Sequence, residues 1–204
     1  DGGTFDGNVT MAGTLTGTTA IFTTDDNNAQ LTLKSTDADA TEGPIIDMIR
    51  DSSSPADSDK IGAIRFKSDN DAGEEVTGVT VLAKVKDASD GTEDGVLQIN
   101  TLVNGTERIM VNVAANEIVF NEEQEDIDFR IESDGDADMF VVNGGTNRIG
   151  VGTNAPDVPL HISLSGQDAQ IRVQSESDGN ASRVQLYGNN ASGAAYNAIQ
   201  SHIN

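Results

Sequence analysis

Three carboxylates stand at alternate positions in Asp134-Gly135-Asp136-Ala137-Asp138, the spacing with which a calcium loop opens. An EF-hand would continue with Gly at the sixth position and Glu at the twelfth, where this chain has Met139 and Gly145. Asp134, Asp136 and Asp138 are therefore candidate calcium ligands without being an EF-hand. Asp69/Asp71 and Asp37/Asp39 repeat a shorter version of the pattern. The competing account is turn chemistry, because an Asp side chain readily accepts from nearby backbone N–H groups.

Acid–base chemistry has fewer openings. His161 and His202 are the only imidazoles. His161 lies between Leu160 and Ile162 in an alternating segment, which points it at solvent or at a seam between subunits. Glycoside hydrolysis needs two carboxyls roughly 5–10 Å apart across a sugar cleft. The dense cluster Glu122-Glu123-Gln124-Glu125-Asp126 falls in a loop, where such charges are normally solvated, and the chain has no Trp and only Tyr187 and Tyr196 as tyrosines. There is no GxSxG elbow, Walker loop, HExxH or cofactor fingerprint. Gly150-Val151-Gly152 supplies two glycines of a dinucleotide loop, but Pro156 bars the helix that must follow. No catalytic residue and no cofactor is expected, calcium being the one candidate.

The elements that must position these residues are strands. Val and Ile outnumber Leu by more than three to one, a strand bias. Val, Ile, Leu and Phe together are a little over one fifth of the 204 residues, which is thin for a core that one chain must fill alone. A core shared between chains is expected. The formal net charge of −22 argues against nucleic acid and against anionic membranes as partners. No apolar run of about 18 residues is present, so no membrane-spanning helix is expected. With no cysteine, disulfides and thiolate metal sites are excluded. The chain opens at Asp1-Gly2-Gly3 in mid-pattern, without an initiator Met, and is expected to be a piece of a longer polypeptide.

Residues 1–28 read as a Gly/Thr-rich shaft or linker, with single apolar positions between Gly-Thr pairs. In a shaft, three chains would each contribute one residue per layer. A β-rich module is expected over 29–121. Its strands are Gln30 to Lys34, Ile45 to Ile49, Ile61 to Lys67, Val76 to Val85, Val96 to Val103, Thr106 to Val113 and Glu117 to Phe120. Loops run over Asp51 to Asp59 and Asp87 to Gly95. Asn104-Gly105 is the strongest hairpin signal in the chain. A β-hairpin module follows over 122–165, and 166–204 begins a further β-rich module.

One pattern recurs. Gln30-Leu31-Thr32-Leu33-Lys34-Ser35 is matched by Asp128-Phe129-Arg130-Ile131-Glu132-Ser133 and by Gln170-Ile171-Arg172-Val173-Gln174-Ser175. Each copy leads through an Asp-rich turn into another apolar pair. The spacing is irregular, so the repeat reads as a hairpin strung along a fibre and not as a solenoid.

Asn147 to Ile162 reads NRIGVGTNAPDVPLHI: a short apolar strand, a Gly/Thr/Asn/Pro turn and a second alternating strand. It closely resembles the GIGT-x-x-P-x-x-x-L-x-V module of phage tail-fibre and related virion fibre proteins. DSSSPADSDKIGAIRFK, DGTEDGVLQI, VNGTERIM and DFRIESDG are similar to pieces of that family too, and their shared order is more specific than any one of them. The resemblance implies an all-β fold: an elongated homotrimeric fibre with a short shaft and hairpin-rich modules of β-prism or sandwich-like form. It further implies a non-enzymatic structural and adhesive role in host attachment, on the extracellular surface of a virion. The implied partners are two further copies of the chain, other tail or capsid proteins, and a host surface glycan or protein. Exposed loops such as Ser52 to Asp59 and Asp87 to Gly95, and the stretch from Tyr187 to Tyr196, are the places to look for receptor contact. A self-cleaving intramolecular chaperone beyond Asn204 is also implied. The alternatives are a capsid decoration or head-fibre protein, and a secreted surface-filament subunit with open-ended contacts.

Overall fold

The computed structural model describes residue 14, residues 16–166 and residues 168–174. The start of the Gly/Thr shaft, His202, the Tyr187 to Tyr196 stretch and most of the expected last module lie outside the described residues. The chain divides into two compact units, Asp1–Ile49 and Arg50–Asn204.

The described residues of the first unit contain no strand, and this corrects two expectations. Gln30 to Lys34 alternates cleanly, yet Leu31 and Leu33 are 62% and 46% exposed. Ile45, Ile46, Met48 and Ile49 are exposed as well. Alternation fixes which side chains share a face, but a strand also needs a ladder partner and a surface for that face to cover. Neither is supplied by the described residues of this unit. What organises the segment locally is Asp chemistry: the Asp26 carboxylate accepts from the Asn28 N–H at 2.9 Å and Asp39 accepts from the Thr41 N–H at 2.8 Å.

The described residues of the second unit form nine strands in two sheets and are all-β, as the composition leads one to expect. The first sheet is an antiparallel meander of β1 (Lys60–Asp69), β2 (Glu75–Asp87), β3 (Asp94–Val103), β4 (Thr106–Ala114) and β5 (Glu117–Phe120), in that order. Asn104 and Gly105 take φ of 49° and 78° between the paired residues Val103 and Thr106, the left-handed pair that a two-residue hairpin turn requires. Ile109, Val111 and Val113 look like one alternating face in the sequence. A bulge at Met110 breaks the alternation, setting Ile109 opposite Asn100 while Val111 stays opposite Ile99.

The second sheet is ordered β6 (Phe129–Ser133), β7 (Asp136–Asn143), β8 (Arg148–Val151) and β9 (Leu160–Ile162). The first three strands are antiparallel, and Asp134-Gly135 turns the β6–β7 hairpin with φ of 91° at the glycine. β9 instead returns parallel to β8, with Ile149 opposite Leu160. The crossover over 152–159 contains no helix. It folds back tightly, burying Pro156, whose carbonyl accepts from Arg148 Nη1 at 2.8 Å. Two glycines make this return possible. A Cβ on Gly150 would collide with the Thr153 carbonyl oxygen, and one on Gly152 (φ 71°) with the Ser163 carbonyl oxygen.

Candidate functional site

Cross-strand registers place one apolar residue from every strand of the first sheet in a single row: Ile64, Val81, Ile99, Val111 and Phe120. A neighbouring row runs Gly62, Ala83, Leu97, Val113 and Ile118 on the same face. The second sheet repeats the device with Phe129, Val142, Ile149 and Leu160. Period-two alternation sends these side chains to one side of each sheet. The rings of Phe120 and Phe129 lie 5.0 Å apart, so the first row continues from one sheet into the other, one residue per strand through all nine strands.

Among the described residues of this unit nothing covers this face. Ile118, Phe120 and Leu160 are 62%, 53% and 55% exposed, and Ile64, Phe66, Leu97 and Ile131 are exposed too. Among the described residues the buried hydrophobic side chains are Leu82, Val96 and Val141. The first two lie on the opposite face of the first sheet, and Val141 lies on the back of the second. A sheet this size normally buries its apolar face, and a contiguous exposed one marks a surface meant for contact.

The back of the first sheet is polar yet more enclosed. Thr80 pairs with Asn100 and Leu82 with Gln98, all four being buried. Gln98 donates to Asn112 Oδ1 at 3.2 Å, Asn112 donates on to Glu122, and Asn100 donates to Glu107 at 3.2 Å. Asn100 Oδ1 is left without a partner.

The acidic cluster of the β5–β6 connection is a clasp. Arg108 on β4 meets Glu123 through Nη1 and Glu125 through Nε, each at 2.9 Å. The Glu123 hydrogen bond, reinforced by the charge of Glu125, raises the Arg108 pKa above its ordinary value. Asn121 accepts from the Glu125 N–H at 3.0 Å and donates to the Glu125 carbonyl at 2.7 Å. The clasp thus fixes the segment joining the two sheets. The charge run alone gave no hint of it, because its partner lies on β4, beyond the intervening strand β5.

The candidate calcium ligands fall into the β6–β7 hairpin. Asp134 occupies the turn. Asp136 Oδ1 accepts from the Asp138 N–H at 2.9 Å, and Asp138 Oδ1 lies 3.9 Å from Arg130 Nη1. Among the described residues no group of three or more His, Cys, Asp or Glu side chains is arranged to hold a metal ion. His161 is half-buried, with its Nδ1 3.1 Å from Asp157 Oδ1. The loops proposed from sequence for receptor contact are pinned to the sheet. The Ser58 N–H donates to the Val85 carbonyl at 2.8 Å and the Ala88 N–H to Asp57 Oδ1 at 2.9 Å.

Comparison with protein-family models and with curated proteins yields no match for the chain.

Proposed function

We propose that this chain is a non-enzymatic structural and adhesive component of a phage virion: a trimeric tail fibre that takes part in attachment to the host surface. The observation that carries the reading is the open apolar row that crosses both sheets. Described residues that bury Leu82, Val96 and Val141 while leaving Ile118, Phe120 and Leu160 in water lack most of a core of their own. Identical chains that turn these faces toward a common axis would supply it to one another, and closure would protect sheet edges as well. The NRIGVGTNAPDVPLHI module, with its likeness to virion fibre proteins, supports a fibre over other assemblies. Attachment would then be multivalent, weak contacts gaining strength from repetition over three chains and several fibres.

On this reading the fibre sits on the extracellular surface of the virion. Its partners are two more copies of itself, other tail or capsid proteins, and a host glycan or protein. The test is the native mass by light scattering, repeated with a calcium chelator. A mass of three chains that survives chelation supports the trimeric fibre without calcium as a structural requirement. A well-folded monomer refutes it, and long open-ended polymers favour the surface-filament alternative.

A further inference from the structure

The face of the first sheet turned away from the apolar rows concentrates positive charge, in a chain whose formal net charge is −22. Lys60 on β1 stands directly opposite Lys84 on β2. Lys86 follows at a register shift between Val85 and Asp87, and lines the same groove as Lys84. Like charges directly opposite in a ladder destabilise it, and acids to neutralise them are plentiful in this sequence. They are placed elsewhere. Among the described residues Lys67, Arg108 and Arg130 have carboxylate partners, whereas Lys60, Lys84 and Lys86 have none.

A groove of about 170 Å³ opens at this point, lined by Ser58, Lys84, Lys86, Asn112 and Glu117 among others. Its wall is built: Ser58 is held at φ 69° by its N–H bond to Val85. The Lys86 ammonium donates to Asn116 Oδ1 at 2.8 Å, which steadies it while leaving further donors. Asn112 is committed to Gln98 and Glu122 and forms a fixed floor. Glu117 is the acid among these lining residues, against two ammonium groups and the third on Lys60.

We propose that this groove binds an anionic group carried by a sugar, a uronic carboxylate or a glycan phosphate. The lysines supply charge-assisted hydrogen bonds to its oxygens, and Ser58 offers a hydroxyl to a neighbouring sugar hydroxyl. The role as a receptor contact rests on the tail-fibre reading; the anion site itself does not. If the apolar faces meet at an axis, this face points outward, where a host glycan would be met. The many distant carboxylates repel such a ligand, but at 0.15 M salt their field is screened beyond about 8 Å, which spares close contacts.

The experiment is calorimetric titration of the protein, at that ionic strength, with tetragalacturonate, with inorganic phosphate and with neutral maltotetraose. Native mass is measured on the same sample. Tetragalacturonate binding alone identifies the carboxylate, and phosphate binding identifies a phosphorylated glycan; maltotetraose stays silent. Lys84→Gln and Lys86→Gln each weaken the interaction at least about tenfold. Lys67→Gln makes the same charge change where the ammonium is already paired with Glu75, and leaves binding unchanged. Should Lys84→Gln fold poorly, reductive methylation of the wild-type protein gives the same answer: ligand slows labelling of Lys84 and Lys86 but not of Lys67. Absence of binding by both anions at about 10 mM overturns the proposal, as does equal weakening by Lys67→Gln. A monomeric mass with anion binding sinks the fibre reading alone, and a trimeric mass without it sinks the groove alone.

Discussion

Phe120 ends the first sheet and Phe129 begins the second, and their rings pack at 5.0 Å with an interplanar angle of 41°. The two sheets therefore share an apolar joint on the same side as the open rows. A tilted aromatic pair contributes about 0.5–1.5 kcal/mol beyond its burial. A double-mutant cycle with Phe120→Ala and Phe129→Ala, read by denaturant unfolding, should return a coupling energy in that range. Strictly additive losses would mean that the joint is a contact without energetic weight.

Position in the row, and not hydrophobicity alone, should decide which changes disrupt assembly. Ile99→Asp puts a carboxylate in the centre of the apolar face, with Val81 on one side and Val111 on the other. Thr77→Asp adds the same charge on the opposite face, across from Lys67. The first should reduce the mass seen by light scattering to that of one chain, because burying an unpaired carboxylate costs several kcal/mol. The second should leave the mass unchanged. Equal behaviour of the two variants would remove the apolar rows as the interface.

Much of the second unit was legible in the sequence because local signals were sufficient there. Asn104-Gly105 specifies a turn whose φ values only such residues accept readily, and the flanking alternation sets five strands in order. The Met110 bulge was not legible, since an extra residue in a strand leaves no mark in the pattern of Ile109, Val111 and Val113. The parallel return of β9 was hidden too: proline and glycine announce a turn at 152–159 but say nothing of the direction in which the chain re-enters the sheet. Leu31 and Leu33 show the opposite failure, a clear strand pattern with no partner among the described residues of its unit. The Arg108 clasp could not be read, because its ion pairs depend on a meander bringing distant residues together.

Of the two glycines of the β8–β9 return, Gly152 should be far less replaceable than other glycines with positive φ. Gly73 (φ 78°) and Gly91 (φ 86°) have open space where a Cβ would go, so alanine there should cost only the left-handed strain, about 1–2 kcal/mol. Gly152→Ala meets that strain and a backbone carbonyl, adding about 1–3 kcal/mol of overpacking. Gly150→Ala should lose the overpacking part alone. Thermal unfolding of the four variants orders them; similar melting temperatures for Gly152→Ala and Gly91→Ala would contradict the tight crossover.

Arg108 should act through the segment it holds more than through global stability. It and its two carboxylate partners are each about one-third exposed, so solvent screens the pairs and their removal should change global stability little. Arg108→Met keeps the aliphatic stem while releasing Glu123 and Glu125. Amide exchange over 121–127 should then accelerate while the β2–β3 ladder stays protected. Unchanged exchange in that segment would show that the Asn121–Glu125 bonds hold it unaided.

Acid should remove a specific part of the stability at the end of β2. The Ser89 N–H, donating to Asp87 Oδ1 at 2.9 Å, is the largest of the influences that lower the Asp87 pKa below its ordinary 3.8, ahead of the Ser89 and Thr92 side chains. A carboxyl whose pKa is lower folded than unfolded stabilises the fold at pH values above the unfolded pKa. That contribution disappears as pH falls through the lower, folded pKa. Asp87→Asn retains an oxygen acceptor but not the charge. Wild type should therefore melt higher than the variant at pH 7, and the gap should hold down to roughly pH 4 and close below it. Arg108, whose pKa is raised, works in the opposite sense: its contribution is lost only as pH rises through that raised, strongly alkaline value, outside this range. A gap between the two melting curves that persists unchanged at pH 2 would mean that Asp87 contributes through shape and not through its charge.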